Sequence, residues 1–195
     1  MILETKRLIL RKPQLSDWKD ILEGAKDLDV SRYLSVVPYP YHKKDAVWFI
    51  KHSLKRWSKK SRTTYTFFIE LKSEKKIIGV TDVHNINFQD RKANTGAWIA
   101  KKYWRKGYIK EAKVAVLDFA FYRLKLRKIE AEAYIENKAS NGMQVKLGFK
   151  KEGLKRKSII AKSTGKIHDS VLYGLFAGEW KKSRKRLIRE LKEYQ

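Results

Sequence analysis

Hydrophobic residues recur along this chain with two spacings, every second residue in some stretches and every third or fourth in others. Runs of β-forming or alternating apolar residues predict strands, whereas the longer spacings predict amphipathic helices. The polar turns Lys72–Lys75 and Lys162–Lys166 each join two strand runs into a predicted antiparallel hairpin. The predicted strands are Lys6–Lys12, Thr64–Leu71, Lys76–His84, Thr95–Ala100, Lys128–Ile135, Phe149–Ile160 and Ile167–Phe176.

Helical spacing occupies most of the intervening segments. Ser16 can cap the first of these helices, and Gly148 ends a short one near the middle of the second half. A proline loop covers Val36–Tyr41, and a second predicted loop covers Asn85–Lys92. The predicted apolar stripes are Trp18–Ala25, Val47–Trp57, Ile109–Leu124, Gly142–Leu147 and Gly178–Gln195.

The order of these elements predicts the fold class. Antiparallel strands come first, and a β-α-β-α-β-β succession follows, which implies an α/β (α+β) fold. We expect a central mixed, mostly antiparallel sheet with helices on both faces. The chain is best divided into one domain over residues 1–177 and a basic C-terminal helix over residues 178–195.

One stretch, Asn94–Leu126, combines a strand, a glycine turn and a helix. The first N–H groups of a helix lack intrahelical partners and lie at the positive end of the macrodipole, so an anion such as a pyrophosphate can dock there. Gly107 would let the backbone approach closely. An ordinary strand-to-helix connection explains the same pattern. The chain has neither GxxxxGK[ST] nor GxGxxG, which excludes those phosphate motifs.

The amino-acid composition excludes several kinds of site. The 195 residues are 43% hydrophobic, enough for one domain with a buried core, and the absence of cysteine excludes disulfides, thiolate metal sites and cysteine nucleophiles. The first ten residues mix acid and base with apolar residues, unlike a signal peptide. No apolar run approaches the roughly 20 residues of a membrane span. We therefore expect a soluble, cytoplasmic protein without membrane association.

The charge is strongly unbalanced, with 46 Lys and Arg against 21 Asp and Glu, a net +25. Such a field attracts polyanions, including ribosomes, RNA and phosphorylated cofactors. A solvated, lysine-rich surface is the alternative interpretation. The predicted tail helix carries many of the cations around an apolar face, and we expect it either to solubilise the protein or to hold it near RNA. The residues of that apolar face are Trp180, Leu187, Ile188, Leu191 and Tyr194.

Four motifs in order resemble one family. GAWIAKKYWRKGYIKEA resembles the acetyl-CoA-binding segment of the GNAT superfamily of N-acetyltransferases, and IEAEAYIENKASNGMQVKLGFKKEG resembles the segment that follows it. The opening ETKRLILRK and the closing HDSVLYGL are similar to the GNAT branch that acetylates the N-termini of ribosomal proteins. The resemblance covers about Glu4 to Trp180. It implies a GNAT fold, acetyl-CoA as co-substrate and a protein or peptide N-terminus as acceptor.

The resemblance also implies residue roles at the cofactor. The strand residues Trp98, Ile99 and Ala100 would lie along the pantetheine. The loop of Arg105, Lys106, Gly107, Tyr108, Ile109 and Lys110 would take the pyrophosphate. Three positions depart from the family loop: Trp104 replaces the usual Gln or Arg, Ile109 replaces a small residue, and Arg105 stands where that branch often has glycine. Arg105 leaves backbone N–H donation intact provided its φ is negative.

Two further residues have implied roles in the chemistry. Asn137 would bind the cofactor arm, and Ser140 would protonate the departing thiolate, because the tyrosine position that serves elsewhere in the superfamily corresponds to Gln144. From spacing alone, Asn137 and Ser140 could instead simply cap a helix.

A general base must also deprotonate the acceptor ammonium. Asp82 is named first, since it shares a strand face with His84 beside the predicted cofactor strand. Other carboxylates remain open as alternatives, and each could be an ordinary charge at a strand edge: Glu70, Glu130, Glu132 and Asp169.

The sequence therefore predicts an N-acetyltransferase in which the acceptor amine attacks the thioester directly within a ternary complex. The positive field argues against polyamine and aminoglycoside acceptors, which are themselves cationic. The alternative is a ribosome- or nucleic-acid-binding module that keeps the fold and has weak catalysis.

Overall fold

One nine-stranded sheet runs through the protein in the computed structural model, which describes residues 1–192. The strand order is β1-β2-β3-β4-β5-β7-β9-β8, and β6 lies off this path, paired with β4. The strands are β1 (Ile2–Glu4), β2 (Leu8–Arg11), β3 (Tyr65–Leu71), β4 (Lys76–Asn87), β5 (Lys92–Asn94), β6 (Ala97–Ile99), β7 (Lys128–Tyr134), β8 (Lys150–Ile160) and β9 (Ile167–Phe176).

Every strand pairing is antiparallel except that of β5 with β7, which is parallel. The predicted α/β class with a mixed, mostly antiparallel sheet is therefore confirmed. The helices are α1 (Trp18–Ala25), α2 (Leu28–Ser31), α3 (Lys43–Ser58), α4 (Tyr108–Asp118), α5 (Lys138–Leu147) and α6 (Ala177–Lys192).

The sheet separates two hydrophobic cores. Successive side chains of a strand point to opposite faces, and on β3 Phe68 packs with Ile21 of α1 and Ile50 of α3. Its neighbours Phe67 and Ile69 belong to the other core, to which α4, α5 and α6 contribute buried side chains. Trp180 and Leu187 of α6 are fully buried in that core. Tyr194, which was expected on the same face, lies outside the described residues.

The structure corrects several predicted boundaries. The segment expected as a loop over Asn85–Lys92 continues β4 to Asn87 because Ile86 is buried, and β5 begins at Lys92. The short helix begins at Lys138 rather than Gly142, since the Asn137 side chain accepts a hydrogen bond from Ser140 N. β1 was not predicted. Within residues 1–192 no helix is long and apolar enough to cross a bilayer.

Candidate active site

The sheet opens between β6 and β7. Thr95 N donates to Glu130 O at 2.9 Å, which continues the parallel pairing of β5 with β7. Two residues later the chain has left β7, and β6 pairs with β4 alone. We call this opening, with Thr95 and Gly96 at its apex and β6 and β7 as its walls, the strand split.

Side chains from two elements fix the apex of the strand split. Asp82 Oδ1 accepts from Gly96 N at 2.7 Å, and Thr95 Oγ1 donates to Asp82 O at 2.5 Å. From α4, Lys113 Nζ donates to Thr95 Oγ1 at 2.7 Å and to Gly96 O at 3.2 Å. Both ends of Gly96 are thereby held, one by a carboxylate and one by an ammonium.

Lys113 is fully buried, which is unusual for lysine. Burial lowers the pKa of its ammonium to about 8, and the nearby charge of Asp82 opposes that shift. Sequence reasoning missed this residue. The signal was its position four residues after Ile109 and three before Val116, which places a lysine on the apolar face of its helix.

The backbone of β6 faces the strand split with half of its peptide groups. Ala100 N donates to Ile78 O of β4 at 2.8 Å, so by alternation the N–H groups of Ala97 and Ile99 point away from β4. Ile99 O accepts from the Trp104 indole at 2.8 Å. This bond gives a structural role to the tryptophan that departs from the family loop. Trp98 packs against Gly24 of α1, on the opposite side of the sheet from Ile99.

The turn before α4 has the geometry of an anion site. Gly107 is the N-cap with φ 78°, the left-handed region that favours glycine. The first intrahelical hydrogen bond runs from Glu111 N to Gly107 O, so the N–H groups of Tyr108 and Ile109 precede it. Lys106 is exposed beside them. A pyrophosphate fits such a turn, and these residues would hold that of acetyl-CoA.

Arg105 departs from the expected geometry. Its φ is 61°, whereas the prediction that its N–H donates to the pyrophosphate required a negative φ. That condition is not met. An arginine in the left-handed region is uncommon and indicates strain that the surrounding turn must maintain. Lys110 is also placed differently from a loop cation, since its ammonium is buried and ion-paired with Glu190 of α6 at 3.1 Å.

The N-terminal segment braces this turn. Arg7 donates through Nη1 to Lys106 O at 3.0 Å, and its guanidinium lies 4.4 Å from the centre of the Tyr108 ring. Its Nε pairs with the buried carboxylate of Glu111 at 2.6 Å, and Thr5 donates to the same carboxylate. Sequence reasoning missed this contact because about a hundred residues separate its partners.

Asn137 and Ser140 lie where the chain leaves β7 for α5. Asn137 Oδ1 accepts from Ser140 N at 3.1 Å, which is an N-cap bond. The hydroxyl of Ser140 is half-buried and has no hydrogen-bond partner among the described residues. Its backbone thus serves the cap while its hydroxyl stays available for chemistry. Gln144 is buried, farther along the helix.

Asp82 and His84 form a carboxylate–imidazole pair at the strand split. Asp82 Oδ1 lies 2.9 Å from His84 Nδ1, and both side chains are partly exposed. The other candidate bases are carboxylates that already form ion pairs or hydrogen bonds with other residues. Glu70 pairs with Arg11 of β2, and Asp169 accepts from Lys157 N in the β8–β9 hairpin. Glu132 bonds to Ser170, whereas Glu130 pairs with Lys128 directly beside the apex.

A second cluster, which sequence reasoning missed, lies at the far end of β7. The rings of Tyr134 and His168 stack at 4.5 Å, and Tyr33 lies 6.4 Å from Tyr134. His168 Nδ1 is 3.2 Å from Glu136. Burial, with Glu132 and Glu136 adding to it, raises the pKa of Tyr134. We call Tyr33, Tyr134 and His168 the aromatic cluster.

Two buried polar atoms of the aromatic cluster have no hydrogen-bond partner within residues 1–192: Tyr134 Oη and His168 Nε2. Buried polar groups are normally paired, so these atoms need water or a ligand. The described part of the chain contains no group of three or more His, Asp or Glu side chains arranged to hold a metal ion.

Comparisons with known proteins agree with this geometry. A family model described as an acetyltransferase (GNAT) domain matches residues 7–150. The "Uncharacterized N-acetyltransferase p20" of Bacillus licheniformis is 29% identical over 91% of this chain and 97% of its own length. The "Putative ribosomal N-acetyltransferase YdaF" of Bacillus subtilis is 34% identical, over 53% of this chain and 56% of that protein.

A solved structure has the same fold. The GNAT-family acetyltransferase of Bacillus anthracis superposes with a TM-score of 0.77 and 26% identity, covering 91% of this chain and 99% of that one. The strand split and the anion turn before α4 therefore lie within a fold and a family match that span most of the chain. This chain belongs to the GNAT acetyltransferase family and is an acetyl-CoA-dependent N-acetyltransferase.

Proposed function

We propose that the acceptor is the N-terminal α-amine of a protein, acetylated by direct attack on the thioester within a ternary complex. The observation that carries this proposal is the Asp82–His84 pair, bonded to Gly96 at the apex of the strand split. It provides a proton acceptor at the point where the acyl donor and the acceptor would meet. The Bacillus subtilis relative that is named as a ribosomal N-acetyltransferase adds support for a protein substrate.

The first step is removal of a proton from the acceptor ammonium. Asp82 accepts hydrogen bonds from Gly96 N and from His84 Nδ1, so the imidazole is held with Nε2 directed away from the carboxylate. This pair can take up the proton either directly or through a water molecule. Gly96 N donates to Asp82 and Lys113 holds the carbonyl of the same glycine, so the carboxylate keeps a fixed position at the apex.

The second step is attack by the neutral amine on the thioester carbonyl. The N–H groups of Ala97 and Ile99 point into the strand split, where they can stabilise the oxyanion as charge develops. The C–N bond forms, and the C–S bond then breaks. Ser140 donates its hydroxyl proton to the leaving thiolate, and the second proton lost by the nitrogen replaces it.

Electrostatics on the acceptor side favour an amine. The carboxylates of Asp82, Glu130, Glu132 and Glu136 lie on or next to β4 and β7, although the whole chain is strongly basic. A single ammonium is attracted locally, whereas the overall field disfavours multiply charged cations. A peptide with one N-terminal charge fits both conditions.

The test is mass spectrometry of acetylated N-termini in cells with and without this protein, followed by turnover of the matching short peptides by purified enzyme. We expect a small set of protein N-termini to lose acetylation in the deletion strain. Asp82→Asn protein should fail to restore them, while the wild-type protein restores them. If the acetylation of N-termini is unchanged in the deletion strain and the purified enzyme acetylates a small-molecule amine, the proposed acceptor is wrong and that amine takes its place.

A further inference from the structure

The longest helix of the first half, α3, has one face that belongs to no core. Its inner face is buried through Ala46, Ile50, Ser53 and Trp57. Side chains at spacings of three, four and seven residues form the opposite, outer face. We call this face the α3 platform, and it consists of Lys44, Val47, Trp48, Lys51, His52 and Lys55.

An exposed aromatic stack is the centre of the α3 platform. Trp48 is 63% exposed, and its ring stacks on that of His52 at 4.9 Å with an interplanar angle of 10°. The open surface beside it is formed by Lys43, Lys44, Val47, Trp48 and Lys51. Tryptophan is highly buried on average in folded proteins, so a flat, exposed indole supported by a second ring suggests a partner.

The charges around the stack are not neutralised within the fold. The helix carries five Lys and Arg and one acid, Asp45, whose carboxylate accepts from His42 N. Among the described residues, no carboxylate pairs with Lys44, Lys51, Lys55 or Arg56. Burial, with Arg56, Lys55 and Lys59 adding to it, lowers the pKa of His52, so this ring is neutral at pH 7. The α3 platform is therefore a π surface surrounded by lysines that have no acidic partner.

The equally basic α6 differs in its aromatic residue, because Trp180 is fully buried. Arg184 is bound to Asp118 at 2.7 Å, Arg186 to Glu190 at 3.0 Å, and Glu190 also holds Lys110. The pairs with Asp118 and Lys110 dock the helix on α4, whereas the Arg186 pair lies within α6. Five of its cations are not ion-paired within the described residues, namely Lys181, Lys182, Lys185, Arg189 and Lys192, and the first four provide a matched set.

We propose that the α3 platform binds single-stranded RNA, with an unpaired base stacked on Trp48 and phosphates contacted by the surrounding lysines. Aromatic side chains and a cationic groove are the combination that binds single strands without base specificity. A duplex would gain only the charge contacts, because its bases are already stacked and paired. RNA is chosen over DNA because a protein N-terminus is first accessible on the translating ribosome, and only that choice rests on the proposed function.

The first experiment measures the affinity of the full-length protein for a labelled single-stranded oligonucleotide of twelve ribonucleotides and for an RNA duplex of equal length. Trp48→Ala should weaken single-strand binding about 5- to 150-fold, the loss of one stacked base, and leave duplex binding within about twofold. Trp48→Phe should recover part of the affinity. Phe88→Ala, which removes another exposed aromatic ring, is the control and should change neither affinity.

The second experiment compares two variants with the same change in net charge. One carries Lys44→Gln, Lys51→Gln, Lys55→Gln and Arg56→Gln, and the other carries Lys181→Gln, Lys182→Gln, Lys185→Gln and Arg189→Gln. The slope of log affinity against log salt should decrease by about 0.7 for each lost phosphate contact in single-stranded RNA. We expect the larger decrease for the α3 set, because a general effect of net charge would be equal in both.

Several results would overturn this proposal. One is that Trp48→Ala leaves the affinity for single-stranded RNA unchanged, or lowers the affinities for single strand and duplex equally. Another is that the two charge variants have equal salt slopes. A third is that Trp48→Ala lowers the affinity for single-stranded DNA or for anionic lipid vesicles more than the affinity for single-stranded RNA. RNA binding is measured without acetyl-CoA or peptide, and Trp48→Ala should retain turnover of a short peptide. If the RNA-binding proposal fails, the proposed acceptor therefore remains valid. If the proposed acceptor is wrong, the RNA-binding measurements still stand.

Discussion

The two sides of the strand split are built differently. The side proposed for the cofactor is mostly backbone: the N–H groups of β6, the left-handed Gly107 and the first turn of α4, braced by Arg7. The side proposed for the acceptor is mostly side chains from separate strands, including Asp82, His84 and Tyr134. We call them the cofactor side and the acceptor side. One side presents positive potential from a helix terminus, and the other presents carboxylates, in a chain whose net charge is +25.

This difference shows that the net charge of the chain and the local charge of the site have separate effects. The overall field decides which molecules approach, and it favours polyanions. The local arrangement decides which atoms are bound, and within about ten ångströms the nearest groups dominate because salt screens the distant ones. A backbone-built side should tolerate most side-chain changes except at its glycine, whereas a side-chain-built side should be sensitive at each residue.

The largest expected effect is on the acceptor side, at Asp82. Asp82→Asn keeps an oxygen that accepts from Gly96 N but removes the proton acceptor, so kcat should fall about 10²- to 10⁴-fold. Acetyl-CoA affinity, measured by calorimetry, should stay within about threefold, since the substitution leaves the opposite side of the split intact. Asp169→Asn, at a carboxylate in the β8–β9 hairpin, is the matched control and should keep kcat. A large loss at Asp169 with none at Asp82 would reverse the assignment.

Ser140→Ala tests the residue that lies between the two sides. If its hydroxyl protonates the thiolate, kcat should fall about tenfold to a thousandfold, near the range of general acid catalysis, with acetyl-CoA affinity little changed. Asn137→Ala, which removes the cap oxygen, should instead lower the free energy of unfolding by about 1 kcal/mol. A loss of melting temperature without loss of kcat in Ser140→Ala would leave only the capping role.

Gly107→Val tests the cofactor side. Valine is strained at a φ of 78° and adds bulk where the pyrophosphate would approach, so acetyl-CoA should bind about 5- to 150-fold more weakly or not at all. Gly165→Val is a matched control, because Gly165 also has a positive φ (68°) but lies in the β8–β9 turn with open space around it. Calorimetry showing equal acetyl-CoA affinity in the two folded variants would contradict the cofactor site.

Lys113 joins the two sides and gives a prediction for pH. Its folded pKa, about 8, lies below the ordinary 10.5, so between these values the unfolded chain holds a proton that the folded chain has released. The free energy of unfolding therefore gains a contribution as pH rises from 8 to 10.5, up to about 3 kcal/mol. Lys113→Met should lose this pH dependence in chemical denaturation curves, whereas Lys138→Met, at an exposed lysine on α5, should keep it. Identical pH profiles for Lys113→Met and the parent would show that Lys113 is charged alike in both states.

The smallest expected effect concerns the aromatic cluster. Tyr134→Phe removes a buried hydroxyl without a protein partner, so the KM of a peptide acceptor should rise about fivefold if that hydroxyl bonds the acceptor, the value of one hydrogen bond. The KM for acetyl-CoA should not change. Tyr122→Phe, at an exposed ring on the other face, is the control. A lower peptide KM in Tyr134→Phe would place the acceptor elsewhere.

The same contrast explains what the sequence could predict. The cofactor side is one continuous stretch of chain, and its strand, glycine turn and helix can be identified from local spacing. The left-handed Arg105 could not, because its φ is imposed by the turn around it. The side proposed for the acceptor brings together Tyr33, Tyr134 and His168 from three segments that are distant in sequence, and no local pattern marks their contact. The burial of Lys113 could have been predicted, because its position falls on the apolar stripe Ile109–Leu124 that the spacing already shows.

The brace formed by Arg7 has a consequence for truncated forms of this protein. A chain that begins after Arg7, through an alternative start or proteolysis, would lose part of the opening ETKRLILRK but keep the two longest motifs of the family resemblance. It would lose the guanidinium that binds Lys106 O, pairs with Glu111 and covers Tyr108. Those two motifs alone would not reveal that the turn proposed to hold the pyrophosphate has lost its support. The proposed cofactor site thus depends on the N-terminal residues as much as on the motif.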